Sequence, residues 1–261
     1  THRTLYYPDA KALHVALPSR RYQDAVANVL GALDDKIAAN ASCLQDIDEL
    51  ASAQLESRIC AESGWTKLGA VADVNSVTLK PNPGKMLRYI DIASVNVGGF
   101  DFPVQSSWDS APSRARRGVR RGDTIWSTVR PNRRSHALVL SEDPELVAST
   151  GLAVLTPKQG DFAFVYEVTK LPEFTAFLEG AAEGSAYPAV RGDRFVDAPI
   201  PDLPTTIRSD FERVVAPMRK WGAALMEESR MLAELRDTLL PHLISGRVRV
   251  RDAEKQVEAV V

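Results

Sequence analysis

Two apolar seams constrain this chain more than anything else in it. Between residues 22 and 60, Val26, Leu30, Leu33, Ile37, Asn40, Leu44, Ile47 and Ala51 fall at alternating spacings of four and three. Between residues 207 and 244, Phe211, Val214, Met218, Trp221, Leu225, Glu228, Leu232, Leu235 and Leu239 repeat the pattern. This heptad spacing puts one apolar stripe on each of two helices, and each stripe needs a partner helix to cover it. A helix of about 40 residues is roughly 60 Å long. The expected arrangement is therefore a pair of long helices that pack on one another, with whatever lies between them folded separately. Asn40 and Glu228 are the polar members of the seams. Asn40 fits either a tolerated polar site near a helix end or a pair that fixes register at some cost in stability.

The 261 residues suffice for one large domain or two modest ones, and 44% apolar with 25% charged residues fits a globular protein with a real core. The net charge of −2 hides an uneven distribution. Residues 114–134 hold eight arginines and one acid, Asp123, whereas residues 22–62 hold eight acids and two bases. Cys43 and Cys60 lie 17 residues apart on one expected helix. That separation is about 25 Å, too far for a disulfide, and free thiols fit a reducing compartment. No apolar run reaches the ~18 residues of a membrane span, and no signal peptide is visible. Because the chain starts at Thr1, a processed methionine, a tag remnant and a truncated piece all fit.

Along the chain, five stretches separate: residues 1–18, a strand or tail ended by Pro18; 19–63, the first long helix with Ser19 as its cap; 64–205, a strand-rich module; 206–250, the second long helix; and 251–261, a flexible tail. In the module, short β-branched runs are bounded by turn residues, at 69–74, 88–92, 124–129, 137–140, 152–156 and 162–168, and residues 171–179 form the best helix. The proline-rich stretch 196–204 predicts an extended exit. The spacing Ser209 to Glu212 is that of a capping box, and Pro217 then kinks the second helix or marks its regular start. A proline-ended strand followed by an amphipathic helix occurs twice, ALP then VANVLGALDDKI and PIPDLP then FERVVAPMRKW, so residues 1–18 read as the exit of a second such module.

The sharpest functional feature is RARRGVRRGDTIWSTVRPNRR at 114–134. Arginine bridges phosphates or grips guanine with two hydrogen bonds, asparagine does the same for adenine, and glycine allows close approach of backbone to phosphate. Candidate DNA contacts here are Arg114, Arg116, Arg117, Arg120, Arg121, Ser127, Thr128, Arg130, Asn132, Arg133 and Arg134. Arg116, Arg117, Arg120 and Arg121 suit phosphates; Arg130, Asn132, Arg133 and Arg134, after the strand, suit base edges. A second candidate loop, 184–191, offers Ser185, Tyr187 and Arg191, and the KPNPGK turn adds Lys80 and Lys85 with Arg88 beyond it. An ordinary solvated basic surface accounts for a charge run alone, and ordinary turns account for the two loops.

Patterns for chemistry are absent. His2, His14, His136 and His242 lack metal-ligand spacing, and no cysteine cluster completes a zinc site. There is no phosphate-binding glycine loop, dinucleotide fingerprint or nucleophile elbow. The RGD triplets at 121–123 and 191–193 read as chance in an arginine-rich chain. No catalytic or metal-binding residue is assigned, which favours recognition over catalysis.

The helix LGALDDKIAAN, the segments WTKLGAVADV, RYIDIASVNVGG and RRGDTIWSTVRPNRRSHALV, the strand STGLAVLTP and the closing helix ELRDTLLPHLISGRV together resemble the specificity subunit of type I restriction–modification enzymes. The resemblance spans residues ~15–250 and rests on the order and spacing of pieces that are each loose. It implies an α+β fold: one mixed, strand-rich target recognition domain flanked by two long antiparallel coiled-coil helices. It implies a non-catalytic subunit that reads one half of a bipartite double-stranded DNA target and docks methyltransferase subunits, with a motor-nuclease subunit completing the complex. S-adenosylmethionine, ATP and Mg belong to those partners, and none to this chain. The location implied is a bacterial or archaeal cytoplasm. Helix pairing would use Val26, Leu30, Leu33, Ile37, Asn40, Leu44 and Ile47 with Met218, Trp221, Leu225, Glu228, Leu232, Leu235 and Leu239. The chain departs from the family in holding one recognition domain. A half-length subunit that pairs with a second copy, the second half of a longer subunit, and a domain completed by residues 1–18 all fit. A structural adaptor, or a DNA-reading module of another phage-defence complex, is the alternative.

Overall fold

The computed structural model describes residues 11, 18–60, 63–184 and 187–261. The strand expected before Pro18 and the candidate Ser185 lie outside the described residues. Two compact units emerge, one from the described residues of Thr1–Leu44 with Ala224–Val261, the other Gln45–Ala223.

Helix α1 is Arg20–Glu56 and strand β1 Trp65–Lys67. The next strands are β2 Ala72–Val74, β3 Met86–Ile90, β4 Gln105–Ser107, β5 Ala115–Gly118, β6 Thr124–Ser127, β7 His136–Leu138, β8 Leu146–Ser149 and β9 Leu152–Pro157. Helices α2 Phe162–Val168 and α3 Pro172–Gly180 follow, then β10 Pro199–Pro201, α4 Thr205–Ile244 and α5 Val250–Glu258.

In the helical unit α1 and α4 run antiparallel. The Tyr22 hydroxyl donates to the Leu243 carbonyl at 2.9 Å, Arg236 pairs with Asp34 at 2.7 Å, and the Asn40 amide donates to Glu228 at 2.7 Å. Val26, Val29 and Leu33 bury against Leu232, Leu239 and Leu243. Ala253 and Val257, one turn apart on α5, complete this core. The tail expected to be flexible is therefore helical over most of its length, because those two side chains give it an apolar face to bury. Gly246, at φ 72°, ends α4 in the left-handed conformation that glycine adopts without strain.

Helix α4 starts at Thr205, a turn before the expected capping box, and is one helix through Pro217 and Pro241. Its seam is also offset from the expected one. Phe211, Val215, Gly222, Leu225, Leu232, Leu239 and Leu243 are buried, whereas Val214 and Trp221 are 38% and 55% exposed. Trp221 therefore does not pair helices in this chain. Valines at both 214 and 215 satisfy a heptad spacing, and the neighbouring core selects the second.

In the other unit, two four-stranded sheets run β2-β9-β6-β7 and β4-β3-β8-β5, with β1 and β10 as a separate pair. Among the named strands, β3 and β8 pair parallel and the other pairs are antiparallel. Alternation along a strand sends successive side chains to opposite faces. Ile125, Leu152 and Val154 of the first sheet therefore meet Ile90 and Ala148 of the second. Trp126, Ala153 and Leu155 face the other way, onto Phe164, Phe174, Phe195 and Phe211. The first sheet is buried on both faces, which is why β6 and the first five residues of β9 carry no exposed position.

Residues 162–168, expected as a strand, form helix α2, whose last six residues are all buried. A short run that is apolar on every side has no helical period to read. Its conformation is set from outside: Glu212 accepts from the backbone N–H groups of Ala163 and Phe164 at 3.1 Å each, satisfying donors that a helix start leaves open. Below the same helix a buried ionic cluster forms. Glu167 accepts from Arg219 Nε at 2.6 Å and Lys170 Nζ at 3.0 Å, and Asp48 from Lys170 at 2.6 Å and Arg219 at 2.9 Å. Burial alone would raise the Asp48 carboxyl, but the two cations hold it below its ordinary value.

Candidate nucleic-acid interface

The loop between β6 and β7 carries exposed polar side chains on a tight turn. Pro131–Arg133 form a single 3-10 turn between two left-handed residues, Arg130 at φ 52° and Arg134 at φ 53°. A non-glycine residue there costs about 1–2 kcal/mol, so the surroundings must hold it. They do so by backbone contacts. Arg130 N–H donates to the Pro188 carbonyl at 2.7 Å, and Val190 N–H to the Thr128 carbonyl at 2.8 Å. The hydroxyls of Ser127 and Thr128 turn inward, to the carbonyls of Val129 at 2.8 Å and Gly151 at 2.9 Å. These two residues shape the loop rather than face solvent.

Asn132 and Arg133 are exposed at the crest. The Arg130 guanidinium lies 4.7 Å from the Tyr187 ring centroid, and Tyr187 is itself 71% exposed. The two loops singled out in the sequence are thus neighbours, and Arg130, Asn132, Arg133 and Tyr187 form one group. Arg134 points the other way. Its Nη2 donates to the Lys170 carbonyl, and its own carbonyl accepts from His136 Nδ1 at 2.6 Å. His136 is buried, stacked at 5.2 Å on Trp126, and burial pushes its pKa down to about 4. Arg134 is hence a structural member of the turn; a base contact would require it to leave Lys170.

The other arginines divide in the same way. Arg114 and Arg120 are exposed. Residues 77–79 lie along β5, with Leu79 N–H donating to the Arg116 carbonyl at 2.7 Å, which brings Lys80 alongside residues 114–116. Arg116 and Arg117 are half-buried, and Arg116 Nη1 donates to the Ala115 carbonyl at 2.8 Å. Arg121 pairs with Glu142, and Arg191 with Asp193 at 2.7 Å. Arg88 is held by the Pro103 carbonyl at 2.9 Å, by Asp143 at 2.9 Å and by the Phe102 ring at 5.4 Å. Lys85 is exposed at the end of its turn. Sequence position alone does not separate these arginines, because the partners of Arg88 and Arg121 lie far along the chain.

Sequence reasoning passed over one neighbour of the crest. Residues 95–100 form a small hairpin closed by Val95 and Phe100, and Val97 pairs parallel with His136 at the edge of β7. The signal was the VNVGGF turn pattern, read only as part of a strand.

In the helical unit, the polar seam positions meet. Asn40, 3% exposed, donates to Glu228 at 2.7 Å and to Ser229 at 3.2 Å, and Lys36 lies 3.8 Å from Glu228. Among the described residues, no group of three or more His, Cys, Asp or Glu is placed to hold a metal ion, and no helix is long and apolar enough to cross a membrane.

No family profile and no curated protein matches the chain. Solved structures do. The HsdS subunit from Thermoanaerobacter tengcongensis superposes with a TM-score of 0.51 at 27% identity, over 70% of this chain and 48% of that one. A chain solved in work on complex assembly and conformational transition of the type I R-M system gives 0.51 at 28% identity, again over 70% and 48%. This chain has the fold of a type I specificity subunit. The S subunit from M. genitalium shares that fold at 16% identity, with a TM-score of 0.53 over 86% of this chain and 61% of its own. The chain thus spans about half the length of the first two specificity subunits. Its α+β character, a long helix with a strand-rich sheet region, matches theirs.

Proposed function

We propose that this chain is the DNA-reading part of a type I restriction–modification complex, contacting one half of a bipartite duplex target. The observation that carries the reading is the crest, where exposed Asn132, Arg133 and Tyr187 gather around the half-buried Arg130, a group whose chemistry is that of base-edge and phosphate contact. The likeness to HsdS subunits supports it. In this reading Asn132 and Arg133 face base edges. Arg114, Arg120, Lys80 and Lys85 hold phosphates, replacing the half-buried Arg117 and the paired Arg121 in that role. The paired helices dock methyltransferase subunits, a motor-nuclease subunit completes the complex, and the chain itself performs no chemistry. S-adenosylmethionine, ATP and Mg are then needed by those partners. A second copy of the chain, or a second recognition half on a longer chain, reads the other half-site.

The test is selection of a randomised duplex library by the purified chain. Arg133→Ala is expected to relax preference at one base pair by about 1–3 kcal/mol. Arg114→Ala is expected to weaken all sequences alike and to flatten the salt dependence by about 0.9 in log–log slope. Equal losses on every sequence from both variants would refute the assignment. One observation favours the adaptor reading: Arg88, Arg121, Arg134 and Arg191 are engaged within the chain, which thins the basic surface. A chain that assembles with methyltransferase subunits yet selects no DNA sequence would establish the adaptor.

A further inference from the structure

The 95–100 hairpin pairs with the start of β7, just after the turn that carries the crest, and its tip is exposed. His136 N–H donates to the Asn96 carbonyl at 2.9 Å, and Gly98 N–H to the His136 carbonyl at 2.9 Å. Asn96, Val97 and Gly98 therefore run along the start of β7, directly after the turn that carries Asn132 and Arg133. Gly98, at φ 85°, makes the bend that presents Val97, because only glycine takes that conformation without strain. Val97 is 67% exposed, so its two methyls face solvent. Asn96 is exposed as well, and among the described residues its amide has no hydrogen-bond partner. The carboxylates of Asp91 and Asp101 belong to the hairpin's open end, where the Ser94 N–H donates to the Asp91 carbonyl at 3.2 Å and the Asp101 N–H to the Ser94 carbonyl at 3.0 Å. The tip is uncharged.

We propose that this hairpin tip is a second base-reading element, with the Val97 methyls against the 5-methyl of a thymine and the Asn96 amide on an adjacent adenine. The proposal rests on the DNA-reading function above and adds a site to it. The chemistry fits the major-groove code. Thymine offers a methyl that apolar side chains contact, and adenine offers N6 and N7 to a bidentate amide. The arginine crest supplies attraction but also grips any phosphate. A neutral tip next to it adds no attraction at a distance and is felt only on close fit, so it contributes discrimination with no salt dependence. The hairpin pairs with β7 just after the turn that carries Arg133, and that continuity favours DNA over a protein partner as the occupant.

The experiment selects a randomised duplex library on the full wild-type chain, then on Val97→Ala and Asn96→Ala. The wild type is expected to yield a motif containing a T next to an A. Val97→Ala keeps every other position and loses about fourfold in preference for that T. Deoxyuridine in place of the T costs the wild type a similar factor and costs Val97→Ala less, since the shortened side chain has already lost most of its contact with that methyl. Asn96→Ala lowers preference for the neighbouring A by roughly tenfold. If the wild type selects no motif, the DNA-reading function fails and this site with it. A wild-type motif that both variants select unchanged overturns the hairpin alone and leaves the function standing. Unchanged selection with weakened assembly onto methyltransferase subunits overturns it in favour of a protein contact.

Discussion

His136 shows how one residue beside the crest couples its shape to pH. The ring is 1% exposed and stacked on Trp126, and its Nδ1 proton goes to the Arg134 carbonyl. Burial is the main reason its pKa falls from 6.5 to about 4, with Lys170 and Arg134 adding repulsion. Below pH 6.5 the unfolded chain takes up a proton that the folded chain refuses until about pH 4, so stability present above pH 6.5 is lost across that window. The loss is on the order of 3 kcal/mol. His136→Phe should flatten the decline, as read by urea midpoints at pH 7, 6, 5 and 4; an unchanged slope would show that His136 is not its source. The basic stretch around this residue was visible in the sequence, but the working state of each arginine was not. Arg88 is engaged by Asp143, Arg121 by Glu142 and Arg134 by Lys170, at separations no local pattern carries. What remains exposed is a product of the fold.

At the scale of elements, the seams were legible because a heptad stripe is a property of local spacing. α1 and α4 pair as their apolar stripes predict, while the antiparallel sense, implied by the resemblance alone, is not a property of the spacing. The offset at Val214 and Trp221, and the helix at Phe162–Val168, were not legible, because each is decided by packing against residues distant in sequence. The polar seam pair is the informative exception. Asn40 meets Glu228 across the helices, and any slip by one residue would bury one of them opposite an apolar side chain. This agrees with the register-fixing reading of Asn40. Asn40→Ala is expected to cost about 1–3 kcal/mol, and a double-mutant cycle with Glu228→Ala should return a coupling of roughly 1 kcal/mol. Additive losses in thermal unfolding would reduce the pair to two independent polar residues.

For the whole molecule, the pairing constrains how helix length is altered. Because Asn40 faces Glu228 and Asp34 faces Arg236, an insertion in α1 alone misaligns every pair beyond it. If the paired helices set the spacing between two reading sites, four residues added to α1 must be matched by four in α4. Such a matched variant in the assembled enzyme should prefer a longer spacer in its methylated motif; an unchanged spacer would refute the ruler role. The exposed turn has a further consequence, for how a target preference can change over time. Its left-handed ends are held by Pro188, Lys170 and the inward hydroxyls, while among the described residues nothing anchors the side chains of Asn132 and Arg133. Substitution of those two side chains is expected to cost little stability, proline at 133 excepted, because the Arg133 N–H donates to the Arg130 carbonyl at 2.9 Å. A library randomised there should stay folded almost throughout, with melting temperatures clustered near the parent and binding preferences scattered. If Asn132 and Arg133 read bases as proposed, changes at these two adjacent codons shift the preference at their positions with no change of architecture.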